Sequence, residues 1–252
     1  MQFPVYIEIG TFKLLAHVLL EPLGMFIGFR YFLLLRKRKG DLIPNHQRIW
    51  IIIGAIFGAL LGSRLVGGLE NPAELFTSKN LLFYFYQHKT VVGGFLGGLF
   101  GVEFVKKLIK EKQSSGDLFT YPILLALIVG RVGCFSMGVF EETYGIPTEF
   151  ITGMDLGDGI HRHPVTLYEI FFLLVLWISM VQLEKKYSFA EGGRFKIFMI
   201  SYLCFRFSLD FIKPHYTFDF GLSTVQLVCL LGLIYYAAFI MNPKKLLLHT
   251  HA

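Results

Sequence analysis

Long apolar runs separated by short, charge-rich connections dominate this chain. Seven runs, at roughly 12–35, 49–69, 91–109, 118–138, 165–183, 195–212 and 222–241, approach the ~20 residues a helix needs to cross a bilayer. No strand-like alternation competes with them, and no tandem repeat is visible. The pattern predicts an all-α fold: a polytopic membrane protein, one domain over 1–252, built as a bundle of seven transmembrane helices. The first run is interrupted by Lys13, His17, Glu21 and Pro22, and basic residues follow rather than precede it. A cleaved leader has the opposite arrangement, so the run predicts a retained helix with a polar interior face.

The connections set an orientation. Fifteen Lys and Arg residues fall on one side: Arg36 to Lys39 and Arg48, four between Lys106 and Lys112, Lys185, Lys186, Arg194, Lys196, Lys244 and Lys245. The other side carries four: Lys79, Lys89, Arg162 and Lys213. Basic loops stay cytoplasmic, so the N-terminus is expected outside and the C-terminus inside. Residues 140–164, rich in acidic residues and turn-forming glycine, then form a small extracytoplasmic cap.

Composition agrees: 54% of residues are hydrophobic and only 17% charged. The net charge of +6 follows from the basic loops and does not call for nucleic acid. Cys134, Cys204 and Cys229 all lie in apolar runs, which argues against a disulfide framework. Gly54, Gly58 and Gly62, and again Gly93, Gly97 and Gly101, recur every fourth position. Such stripes let two helix backbones approach closely.

Three arginines interrupt apolar surroundings: Arg64, Arg131 and Arg206. A charge at membrane depth is costly and faces a protein interior, a wet cavity or a bound anion. Two readings stand: pairing with Glu103, Glu169 or Asp210, or binding of a lipid phosphate, which the planar guanidinium fork suits. Arg206 and Asp210 are four apart and share a helix face, as do His17 and Glu21. His163 enters a helix through Pro164, with Tyr168 and Glu169 about one turn further on. Each has a plainer reading: His17–Glu21 as a packing pair, His163 as a helix-entry residue, Tyr168 as an interface anchor. No phosphate loop, His-Glu-x-x-His or Cys-x-x-Cys occurs, so the sequence offers no metal motif.

Several blocks together resemble the prolipoprotein diacylglyceryl transferase family. Gly130-Arg131-Val132-Gly133-Cys134-Phe135 is similar to its Gly-Arg-x-Gly-Asn-Phe signature, and Glu142-Thr143-Tyr144-Gly145 to a Glu-x-x-Gly element. Arg162-His163-Pro164 with Leu167-Tyr168-Glu169 matches another block. Arg206-Phe207 with Asp210 and Lys213, and Gly62-Ser63-Arg64, resemble two more. There are departures. Val92 replaces the histidine of a His-Gly-Gly triplet, Cys134 replaces the signature asparagine, and the tyrosine of the first helix has no clear match.

The resemblance implies a bacterial plasma-membrane enzyme that moves a diacylglyceryl group from phosphatidylglycerol to a cysteine thiol, following the signal peptide of an exported prolipoprotein. Its partners are then that lipid, the prolipoprotein and the membrane, and no metal or organic cofactor is required. Arg131 and Arg206 would hold the phosphate, with Arg64, Cys134, Gly145 and Tyr168 nearby. His17, Glu21, Glu142, His163 and Asp210 are the candidates for proton handling, and the base stays open among His17, His163 and Glu142. A phospholipid-binding protein without catalysis, or a transferase with another acceptor, is the alternative. A transporter built on inverted repeats lacks the repeat.

Overall fold

The computed structural model describes residues 2–10 and 12–248. Seven principal helices coincide with the seven apolar runs: α1 (Ala16–Lys39), α2 (Asn45–Gly68), α5 (Val91–Ile109), α6 (Thr120–Met137), α7 (Val165–Lys186), α8 (Gly193–Leu209) and α9 (Thr224–Tyr235). Two short helices, α3 (Pro72–Thr77) and α4 (Leu81–Gln87), lie in the connection between α2 and α5, and a third, α10 (Ala237–Ile240), follows α9 within the last apolar run. The expectation of seven crossings is met only in part. Four helices, α1, α2, α6 extended through Phe140, and α7, are long and apolar enough to cross a membrane. The other three fall short for identifiable reasons. Helix α5 carries Glu103, Lys106 and Lys107, α8 has 17 residues, and α9 has 12 before the chain turns at Tyr236.

The start of the chain corrects the sequence reading further. Residues 12–15 are not helical. They form β2 (Phe12–Leu15), antiparallel to β1 (Tyr6–Ile9), with Glu8 opposite Lys13. Those two side chains pair at 2.7 Å, and Gly10 takes the positive φ the turn needs. The apolar run starting at residue 12 concealed the second strand of this hairpin, because hydropathy alone does not separate a short strand from a helix start.

The glycine stripes have a structural explanation. Helices α2 and α5 run antiparallel, with Gly54 against Gly101, Gly58 against Gly97 and Gly62 against Gly93. At each of these contacts a Cβ would overlap the partner's backbone. The same device joins α1 to α6, where a Cβ on Gly24 would sit 2.8 Å from the Ala126 carbonyl oxygen. Large apolar side chains such as Leu61, Phe100 and Phe171 remain exposed on the helix exteriors, the surface a lipid phase would cover. Inside, Val92, Leu124, Leu173, Met180, Phe198 and Tyr202 belong to one buried cluster.

The segment after α6 folds over one end of the bundle. A two-residue ladder pairs β3 (Met154–Asp155) with β4 (His161–Arg162). Backbone bonds from Gly145 to His163 and from Ile146 to Ile212 fasten it to the helix ends. Asp155 accepts from the Gly157 and Gly159 amides and Asp158 pairs with Arg162, which holds both carboxyls below their usual range.

Candidate active site

Three helices meet at Glu169. Its carboxylate on α7 lies 2.9 Å from Arg131 Nε on α6 and 3.4 Å from Arg206 Nη1 on α8. The Tyr202 hydroxyl, one turn before Arg206, donates to the same group at 2.7 Å. Glu169 is 2% exposed, Arg206 7% and Arg131 9%. The two arginines therefore converge, and they do so on an internal acid. One carboxylate does not neutralise two guanidinium groups. Arg206 also reaches toward Asp210, at 3.9 Å. Asp210 is itself held by the Ser223 hydroxyl, which caps α9, and lies 3.6 Å from His215 Nε2. Arg206 Nε has no hydrogen-bond partner among the described residues. Two apolar cavities of about 250 Å³ each open elsewhere, around Leu96 and Phe100 and around Ile197 and Phe239, and neither is lined by these arginines.

Lys213, just past the end of α8, faces this centre half-buried, with no carboxylate within 4.0 Å among the described residues. Burial, then the Arg206 charge, pushes its ammonium down. Burial likewise pushes the His215 imidazole down. Glu70, at the end of α2, is raised by burial, with the Asp210 and Glu142 charges adding to the rise against Lys213 and Arg206.

A second group lies beside Arg131. Arg131 Nη1 is 3.6 Å from Cys134 Sγ, one turn along α6. Cys134 Sγ is 4.0 Å from Glu141 Oε1, and Glu141 Oε2 is 3.4 Å from His17 Nδ1. His17 Nε2 lies 3.2 Å from Glu21, as their spacing predicted, and Lys89 holds Glu21 at 3.0 and 3.1 Å. Three candidates from distant runs, His17, Glu21 and Cys134, thus meet at one end of α1 and α6. Glu141 and Lys89 join them. Neither was singled out in the sequence, although Glu141 adjoins Glu142.

The remaining candidates are placed apart from these groups. Arg64 donates to the carbonyls of Tyr86 and His88 and lies over the Tyr86 ring at 5.1 Å. It ties α2 to the connection before α5 and does not join Arg131 and Arg206. His163 Nδ1 meets the Tyr168 hydroxyl at 3.1 Å, and that hydroxyl also contacts Thr152. Gly145 packs against the His163 backbone, where a Cβ would come within 2.6 Å of the carbonyl oxygen. Glu142 is exposed. Val92, at the position of the family histidine, is fully buried in the first turn of α5.

A helical bundle with an apolar exterior, a glycine-packed interior and a buried centre of paired arginines defines a polytopic membrane protein. The family model for prolipoprotein diacylglyceryl transferase matches residues 4–242, and the chain belongs to that family. By that membership it is a transferase of lipoprotein biosynthesis. It is 26% identical over 270 aligned positions to the phosphatidylglycerol–prolipoprotein diacylglyceryl transferase of Francisella tularensis subsp. mediasiatica, spanning 96% of this chain and 95% of that one. The enzyme of the same name from Ehrlichia ruminantium (strain Welgevonden) is 28% identical over 224 positions, 83% of each chain. That from Bordetella bronchiseptica is 32% identical over 180, covering 65% of this chain and 63% of its own.

Proposed function

We propose that this chain transfers the diacylglyceryl group of phosphatidylglycerol to the cysteine thiol of an exported prolipoprotein, at the outer face of a bacterial plasma membrane. The reading takes the chain as one integral membrane domain with seven crossings, its N-terminus outside and its C-terminus cytoplasmic. The acceptor thiol gives up a proton and its sulfur attacks the glycerol carbon that carries the phosphate. A C–S bond forms, the C–O bond breaks, and glycerol phosphate leaves with the electron pair.

The observation that carries this reading, beside family membership, is the convergence of Arg131 and Arg206. Glu169, itself held by the Tyr202 hydroxyl, lies between the two guanidinium groups, and with Asp210 and Lys213 counted the centre holds three cations against two carboxylates. Donors fixed in a dry setting stabilise charge that grows on a leaving phosphate without reorganising during the reaction. On this reading Glu169 positions the arginines, while Asp210 acts at longer range on Arg206. Of the candidates for proton handling, His17 sits between Glu21 and Glu141 in the group beside Arg131, whereas His163 lies apart and Glu142 is exposed.

The test uses purified protein, phosphatidylglycerol vesicles and a lipobox peptide, with mass spectrometry of the peptide cysteine. The expected product carries one diacylglyceryl group, and Arg131→Ala lowers turnover at least a hundredfold while the protein stays folded. Undiminished turnover in Arg131→Ala overturns the arginine assignment. Tight lipid binding with no transfer favours the second reading, a phospholipid-binding protein without catalysis. The specific observation in favour of that reading is the apolar Val92 in place of the family histidine.

A further inference from the structure

His17, Cys134 and Glu141 each offer one atom to a common point, and these atoms lie within 4.8 Å of one another. We propose that they bind a divalent metal ion of the zinc class through His17 Nδ1, Cys134 Sγ and the Glu141 carboxylate, leaving a fourth position for the acceptor thiolate.

The geometry fits. A tetrahedral zinc site with ordinary bond lengths has ligand–ligand edges of about 3.3 Å for nitrogen–oxygen and about 3.6 Å for sulfur–oxygen pairs. Here His17 Nδ1 lies 3.4 Å from Glu141 Oε2 and Cys134 Sγ lies 4.0 Å from Glu141 Oε1, so the carboxylate faces both other ligands and a small inward shift brings all three to a common ion. The unsatisfied atoms point the same way. His17 Nδ1 and Glu141 Oε2 are both buried and neither has a hydrogen-bond partner, although they lie 3.4 Å apart. A cation shared by the two atoms satisfies both, whether it is a proton on the imidazole or a metal ion, and the metal-binding test below separates these.

The surroundings are those of a metal centre. His17 Nε2 rests on Glu21 at 3.2 Å, and Lys89 holds Glu21 in turn. A carboxylate behind the imidazole fixes the tautomer and raises the ligand's basicity. Arg131 Nη1 lies 3.6 Å from Cys134 Sγ, which places a fixed positive charge beside the proposed sulfur ligand. All three ligand side chains are half-buried, with the donor atoms His17 Nδ1 and Glu141 Oε2 themselves buried.

The binding site stands on this geometry alone, whereas its role rests on the proposed transferase reading. A thiol that coordinates zinc loses its proton outright. The acceptor sulfur would therefore arrive as a thiolate, its proton released to water, within reach of the lipid phosphate at Arg131. That supplies the activation a histidine at position 92 would otherwise provide. It also explains why cysteine stands at position 134, where the family has asparagine.

The test adds cobalt(II), as a spectroscopic stand-in for zinc, to the full chain in detergent micelles without substrate. One equivalent should bind with a thiolate-to-metal charge-transfer band and the visible bands of a four-coordinate ion. Cys134→Ser should abolish the charge-transfer band while Cys204 and Cys229 remain. His17→Ala and Glu141→Ala should each weaken binding at least a hundredfold, and Glu21→Gln about tenfold, the loss typical of second-layer partners. No cobalt binding, or a band unchanged in Cys134→Ser, overturns the site. Transfer is then measured separately on chelated and zinc-restored protein. Loss on chelation with recovery on zinc supports thiol activation, whereas transfer indifferent to chelation overturns it. Cobalt binding in a protein that never transfers lipid upholds the site and refutes the transferase reading.

Discussion

Glu169→Ala is the most informative single perturbation. It removes the one carboxylate that lies within 3.4 Å of both Arg131 and Arg206 and accepts the Tyr202 hydroxyl. Removing one partner of a buried ion pair costs about 3–5 kcal/mol, because the other charge is left uncompensated. Here two charges are stranded, and Asp210, at 3.9 Å, is too distant to replace the lost bond to Arg206. For a chain of this size each kcal/mol shifts the melting temperature by about 2–4 °C, so the loss should be about 6–20 °C. The assay is thermal unfolding in detergent micelles. Adding Arg206→Met to Glu169→Ala removes one stranded charge and should recover roughly 2 kcal/mol, a coupling that independent sites would not show. The reasoning is refuted if Glu169→Ala melts within about 2–4 °C of wild type, the equivalent of 1 kcal/mol. It is equally refuted if the double variant is less stable than the single one.

Other positions give sharper local tests. Gly97→Ala places a Cβ 2.7 Å from the Gly62 Cα and still closer to the Gly58 carbonyl, so it should separate α2 from α5 and cost about 2 kcal/mol or more in thermal unfolding. Gly94→Ala, whose nearest neighbours are 3.7 Å and 3.8 Å away, should be neutral or stabilise by up to about 1 kcal/mol through helix propensity. Glu70 has a folded pKa raised by burial from its ordinary 4.5, so the folded state holds that proton more tightly than the unfolded one. Stability should therefore fall as pH rises through the window above 4.5, and Glu70→Gln should remove that slope. A melting-temperature difference between wild type and Glu70→Gln that does not widen between pH 4 and pH 8 contradicts the assignment. Val92→His puts an imidazole into a fully buried apolar position and should lower the melting temperature, and a gain in transfer despite this loss would identify the missing histidine as limiting.

The all-helical character, the places of the long helices and the glycine seams were legible because they depend on local pattern. Apolar runs of helical length and small residues four apart state their own requirement: burial on one face and close backbone approach. His17–Glu21 and Arg206–Asp210 could be read from i, i+4 spacing for the same reason. The hairpin at residues 6–15 and the short α9 were not, since a hydropathy run does not distinguish a strand, or a turn at Tyr236, from a continued helix. Arg48 read as one more loop charge, yet it is 2% exposed and paired with Asp41.

The pairing of charges was out of reach for a further reason. By itself the chain determined that arginines lie in apolar helices and need a counter-charge or an anion. It did not determine which one, because Glu103, Glu169 and Asp210 were equally available as partners. Only the packing of α6 and α8 against α7 selected Glu169 for both Arg131 and Arg206. Only the docking of α1 on α6 brought His17 to Cys134 and Glu141 across more than a hundred residues of chain. Coulombic and coordination interactions act over a few ångströms of space, and residues distant in sequence come within that range only when the helices carrying them are packed.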